Sequence, residues 1–153
     1  RGIPERAEPL LMHAAETRER VLGATHPRTI NAYNNLASLF RNAGRPIDAL
    51  ALTEHAIRTT VPELPENHSL IGSVWREHAQ TLHELGRHEE AAEAAERAHA
   101  ARTATYGADH PTVASAARLV ATIYDTLDSQ QPGLGHGVTA SEWRARLPTE
   151  SVD

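Results

Sequence analysis

The chain has no cysteine, which removes disulfides, thiolate metal sites and cysteine nucleophiles from consideration. It has no lysine either. All 15 basic residues are arginine, a bias that reads as the codon usage of a GC-rich genome rather than the choice of a partner. Aromatic residues make up only 4%, so a core has to come from helices that approach closely on alanine, a strong helix former with little bulk. No apolar run reaches the roughly 18 residues that span a bilayer. The formal charge of −5 argues against nucleic acid, whose binding domains carry a basic stripe. The chain opens on Arg1 with no charged-apolar leader, so it is expected to be a piece of a longer protein, located in the cytoplasm.

What the chain does have is a repeat. "LGATHP" at 22–27 returns as "YGADHP" at 106–111, and "LPENHS" at 64–69 stands midway, spacing His26, His68 and His110 by 42 residues. In that register Gly2, Gly44 and Gly86 share a column, which Asp128 takes in the last copy. Ala7, Ala49 and Ala91 align, as do Ala14, Ala56 and Ala98, and Ala37, Ala79 and Ala121. Phe40, Leu82 and Tyr124 follow three residues on. Agreement of this many columns makes the repeat the organising fact of the chain.

Each unit reads as two helices. "HPRTINAYNNLASLFRNAG" places Pro27 in the first turn and Gly44 at the C-cap, with Ile30, Tyr33, Leu36, Ala37 and Phe40 on one face. A second helix from about Pro46 to Thr60 carries Ala49, Leu52, Ala56 and Ile57. The expected layout is a lone second helix at 4–22, repeats at 26–60 and 68–106, and a final first helix at 110–127. A loop and a short helix at about 139–147 complete it, capped by Thr139 or Ser141, stopped by Pro148 and anchored by Trp143. With no strand-like alternation, the fold class is all-α: an α-solenoid, or superhelix, of antiparallel helix pairs with about seven helices.

Tyr33, Leu36, Ala37 and Phe40, then Gly44, Ala49 and Ala56, resemble the tetratricopeptide repeat, TPR. The 42-residue period, the "HP-x-T" after "LG" and the "NNLA" at 34–37 resemble its kinesin-light-chain type. The ending "YDTLDSQQPGLGHGVTASEWRARLP" is similar to the repeat region of large bacterial serine/threonine kinases. The chain itself has no glycine-rich loop, "HRD" or "DFG", so a kinase domain would lie upstream. His78 stands in the column of Leu36 and Val120, where looser packing is expected.

The resemblance implies a protein-interaction module with a concave groove lined by the first helix of each unit. By position the groove presents Asn31, Asn34, Ser38 and Arg41, then Ser73, Arg76, Gln80 and His83, then Ser115, Arg118, Thr122 and Asp125. Asparagine can pair with the backbone of an extended peptide, and arginine can hold carboxylates through its fork. The groove helices carry Arg28, Arg41, Arg76 and Arg118 against Glu77, Glu84 and Asp125, so a protein or peptide partner, mildly acidic, is the expected ligand. The carboxylate-clamp set of chaperone-binding relatives is missing.

Other readings are weaker. His78, His83 and His88 are five residues apart, not the three or four of a helical metal pair, so no metal and no cofactor is expected. His26, His68 and His110 recur at 42 because they start helices and are expected to act as caps or loop anchors. Tyr33 and Trp75 read as core pegs, and the acids of "HEEAAEAAERA" as a solvated face. No nucleophile with a base, no acid–base pair and no phosphate cradle appears, so the chain is not expected to be an enzyme. The rival function is self-assembly: the lone first helix offers Leu10, Leu11 and Ala14 to a partner helix, and burying two leucines is worth roughly 3–6 kcal/mol. A homodimer through that edge is the corresponding partner.

Overall fold

The three histidines that mark the repeat each begin a helix. His26, His68 and His110 have extended backbones, and each imidazole Nδ1 accepts the backbone N–H two residues on, at 3.1, 3.3 and 3.2 Å. The ring nitrogen thus satisfies one of the four orphan donors of a helix start, as a serine or aspartate oxygen does elsewhere. The computed structural model describes residues 7–147. They form α1 (Ala7–Leu22), α2 (Pro27–Asn42), α3 (Pro46–Thr60), α4 (Ser69–Glu84), α5 (His88–Tyr106), α6 (Pro111–Gln130) and α7 (His136–Ala145). The expected helix start at Pro4, the column glycine Gly2 and the Pro148 stop lie outside the described residues.

Gly44 and Gly86 end α2 and α4 in the left-handed region, with φ of +75° and +76°. The following N–H groups of Arg45 and Arg87 reach back to Phe40 and Leu82 carbonyls at 2.9 and 3.0 Å. This closes a Schellman turn in both repeats. The chain then reverses, and each helix packs on the next, with α2 also lying along α4. The core divides in two: one part gathers Ile30, Tyr33, Leu36 and Phe40 with Ala15 and Ala56. The other joins Leu82, Val120, Ile123 and Leu127 to the α5 alanines and Trp143. Alanines at 91, 95 and 98 are fully buried, which is how a chain so poor in aromatics closes its core.

Departures from the repeat have physical causes. α6 runs to Gln130 rather than 127, because Asp128 replaces the column glycine and does not break the helix. α7 starts at His136, ahead of the expected 139. Its N-cap is Gly135 at φ +86°, which has no side chain to offer, and the Asp128 carboxylate supplies the cap by accepting the Gly137 N–H at 2.9 Å. A Cβ at 137 would stand 2.8 Å from that carboxylate. Thr139 and Ser141, expected as caps, lie inside α7 and donate to the Gly135 and Gly137 carbonyls. Trp143 is buried, its ring edge-on to His99 with centroids 4.8 Å apart, and it packs α7 onto the α5–α6 core. His78 packs more loosely than its column mates, as expected: it is half-buried where Leu36 and Val120 are buried, and it lines a cleft of about 140 Å³, while its Nδ1 lies 3.0 Å from the buried Thr53 hydroxyl. No helix among the described residues is long and apolar enough to cross a membrane.

Candidate functional site

The residues expected in the groove lie on α2, α4 and α6, and their charges are arranged by contacts across the repeat. Arg41 is the main correction. Its side chain is only 8% exposed, and its guanidinium donates to Glu77 Oε2 and Gln80 Oε1, both at 3.2 Å. Glu84 lies 3.7 Å from its Nε, an ion pair too long to be a hydrogen bond. Arg41 therefore stitches α2 to α4, and with it Gln80 is committed.

Glu77 is 7% exposed and is shared: its second oxygen accepts from Arg76 Nη2 at 2.6 Å. One buried carboxylate thus lies between two guanidinium groups, the arrangement that makes such burial tolerable. The Nε atoms of Arg41 and Arg76 and the Oδ1 of Asn34 are buried with no hydrogen-bond partner among the described residues.

Arg102, which the sequence did not suggest, comes into this region from the second helix α5. Its Cγ passes over Gly72, where a Cβ would sit 2.7 Å away, and its Nη1 donates to the Thr112 carbonyl at the start of α6 at 3.0 Å. Burial, and then the neighbouring Arg76, pull the Arg102 guanidinium below its ordinary value. Two arginines held this close leave a local excess of positive charge. No sequence column pointed to Arg102, because the equivalent residue in the preceding unit is Thr60; the empty place at Gly72 was the available signal.

The remaining positions sort by exposure. Asn31, Arg118 and Thr122 are exposed, Ser38 is half-buried, and Asn34 is buried. Thr122 donates back to the Arg118 carbonyl, and Ser73 to that of Leu70. Asp125 pairs with Arg144 of α7, so its charge is answered within the array. His83 turns to His88 across the Gly86 reversal, with their Nδ1 atoms 3.0 Å apart. Helical spacing does not govern residues on two different helices, so the pair meets despite being five apart. No group of three or more histidine, aspartate or glutamate side chains placed to hold a metal occurs among the described residues. At the other end, Leu10 is 71% and Leu11 37% exposed, with Ala14 half-covered.

The solved structures similar to this fold are kinesin-light-chain-like. The crystal structure of putative kinesin light chain nearly identical TPR-like repeats from Podosopora anserina is 18% identical, with a TM-score of 0.70, over 93% of this chain and 76% of that one. BtubC (BKLC) from P. vanneervenii is 20% identical, with a TM-score of 0.73, over 97% of this chain and 58% of that one. No curated protein matches the chain. The tetratricopeptide repeat family model matches residues 2–59 and 70–132, most of the chain. Repeat register, Schellman turns and the stacking of helix pairs agree with that match, and the chain belongs to the tetratricopeptide repeat family.

Proposed function

We infer that this protein-interaction repeat takes an extended, acidic peptide or the acidic edge of a partner domain on the face of α2, α4 and α6. One observation carries the reading. The acids of that face, Glu77, Glu84 and Asp125, all have arginine partners, whereas among the described residues Arg118 has none and Arg102 donates only to a carbonyl. A chain of net charge −5 therefore keeps surplus positive charge on this one face. Arg118, Arg102 and the free edge of Arg76 would hold ligand carboxylates, with Asn31 pairing to the ligand backbone.

Binding of labelled acidic peptides tests this by fluorescence polarisation. Arg118→Glu with Arg76→Gln should remove binding with helical content retained, at a somewhat lower melting temperature because Glu77 loses one of its two guanidinium partners. Peptide affinity unchanged in the double variant would move the ligand off this face.

A second reading has its own observation, the exposed Leu10 and Leu11 on the uncovered side of α1. There the array would stack on another copy, and Leu11→Glu should convert a dimer into a monomer by light scattering. A dimer that vanishes when one upstream repeat is added would instead assign that leucine face to the preceding unit.

A further inference from the structure

The two complete repeats differ at one place where the second helices of neighbouring units flank the aromatic peg of a first helix. In the earlier unit the place is sealed. Tyr33 donates its hydroxyl to Glu19 at 2.5 Å, and His55 lies against the same carboxylate at 3.0 Å, with the two rings 4.8 Å apart. Forty-two residues on, Tyr33 becomes Trp75, Glu19 becomes Val61 and His55 becomes Arg97. The latch has no acid to close it. Around it Thr29 becomes Ile71, Arg58 becomes Ala100 and Pro62 becomes Ala104, each change making the lining more apolar or smaller. The result is an open cleft of about 350 Å³ between the end of α3 and α5, with Ile71 and Trp75 among its lining residues. In the following unit the peg column holds Ala117, buried in the core, so the aromatic floor belongs to this repeat.

The charge around the cleft selects an occupant. Glu66 lines it, and Glu93 and Glu96 stand beside Arg97 and Ala100 on α5. Glu66 and Glu93 have no cationic partner among the described residues, and Glu96 accepts only the Tyr124 hydroxyl, at 2.9 Å. The single cation there, Arg97, lies over the indole of Trp75 at 4.8 Å and pairs with no carboxylate among the described residues. Three carboxylates against one arginine that is already engaged with the indole favour a cationic visitor, and the apolar lining of the cleft favours a large apolar side chain on it.

We propose that the cleft over Trp75 is a second docking site, separate from the arginine-rich face, for a basic segment of a partner protein that inserts one large apolar side chain. The side chain rests on Trp75 and Ile71 between Val61 and Ala104, and the flanking cations meet Glu66, Glu93 and Glu96. The two surfaces select opposite charge, which lets one short array hold an acidic and a basic partner together.

The test uses blocked pentapeptides with Lys and Arg flanking a central Leu, Met, Phe or Trp, and the same set with Glu flanks. The chain has two tryptophans, so the indole N–H signals in NMR report on Trp75 and Trp143 separately once Trp75→Phe assigns them. A saturable shift of the Trp75 signal with a basic peptide, and none with its acidic counterpart, is expected. Ala100→Arg restores the residue of the earlier repeat at an exposed helix position and should weaken that binding by about tenfold or more through steric block. Arg118→Glu should leave it intact, which separates this site from the acidic-ligand face. No saturable shift by about 1 mM of any basic peptide overturns the proposal. So does equal binding of the acidic set, or an unaltered Ala100→Arg variant. A Trp75 signal that moves with protein concentration alone would identify a second copy as the occupant and also overturn it.

Discussion

Arg41 and Glu77 meet at 3.2 Å with both side chains less than a tenth exposed, one on each of two neighbouring first helices. A charge pair so placed is costly to assemble and more costly to break. Removing one partner strands the other in a poorly solvated site, an effect of about 3–5 kcal/mol. Arg41→Ala should therefore lower unfolding free energy in urea by about 3 kcal/mol, while Arg118→Ala, at an exposed side chain with no carboxylate partner among the described residues, should change it by about 0.5 or less. Equal effects from the two substitutions would show that the Arg41 contact contributes little.

Acid should destabilise the array. Burial holds His78 below the ordinary histidine value of 6.5, with Arg87 adding to it and Glu54 and Glu90 opposing. Burial and then His88 lower His83, and burial and then Arg146 lower His99. A histidine lowered on folding binds its proton more readily in the unfolded chain. Its contribution is intact above about 6.5 and is lost as pH falls through the lowered folded values. Melting at about pH 5 should come at lower temperature than at about pH 7.5, and His78→Leu, in the column of Leu36 and Val120, should shrink the difference. A melting temperature that rises on acidification would contradict the assignment.

Gly72 is predicted to be a spacer, not a flexible point. Alanine there gains about 1 kcal/mol of helix propensity, but its Cβ would lie 2.7 Å from Arg102 Cγ and 3.4 Å from the Ala98 carbonyl. Displacing Arg102 loses its bond to Thr112 and overpacks the α4–α5 contact, at about 1–3 kcal/mol. Gly72→Ala should come out destabilised by about 1 kcal/mol, with acidic-peptide affinity reduced as well. A stabilised variant with full affinity would remove Arg102 from the proposed face.

Helix existence and most helix ends were legible in the sequence because their causes are local. A histidine two residues before its bonded N–H and a glycine in a Schellman turn act within a few residues of chain. The start of α7 was not legible: its capping oxygen comes from Asp128 on α6, across a loop. Nor was the fate of the groove arginines. Arg41 and Arg118 occupy neighbouring faces of the same pattern, yet one is consumed by an acid on the next first helix and the other has no carboxylate partner among the described residues. The peg column shows the same thing. Tyr33 and Trp75 read alike, but one is latched by Glu19 and the other opens on Val61.

The 42-residue repeat and the seven helices of the described residues were readable from the chain alone, because periodic apolar spacing and helix-end chemistry act locally, and the family from the resemblance its motifs carry. Which charges remain available, and which aromatic has no acid to latch it, depend on how the helices stack. A side chain's partners come from whichever helices stack beside it, and small changes in those neighbours close one site and open the next.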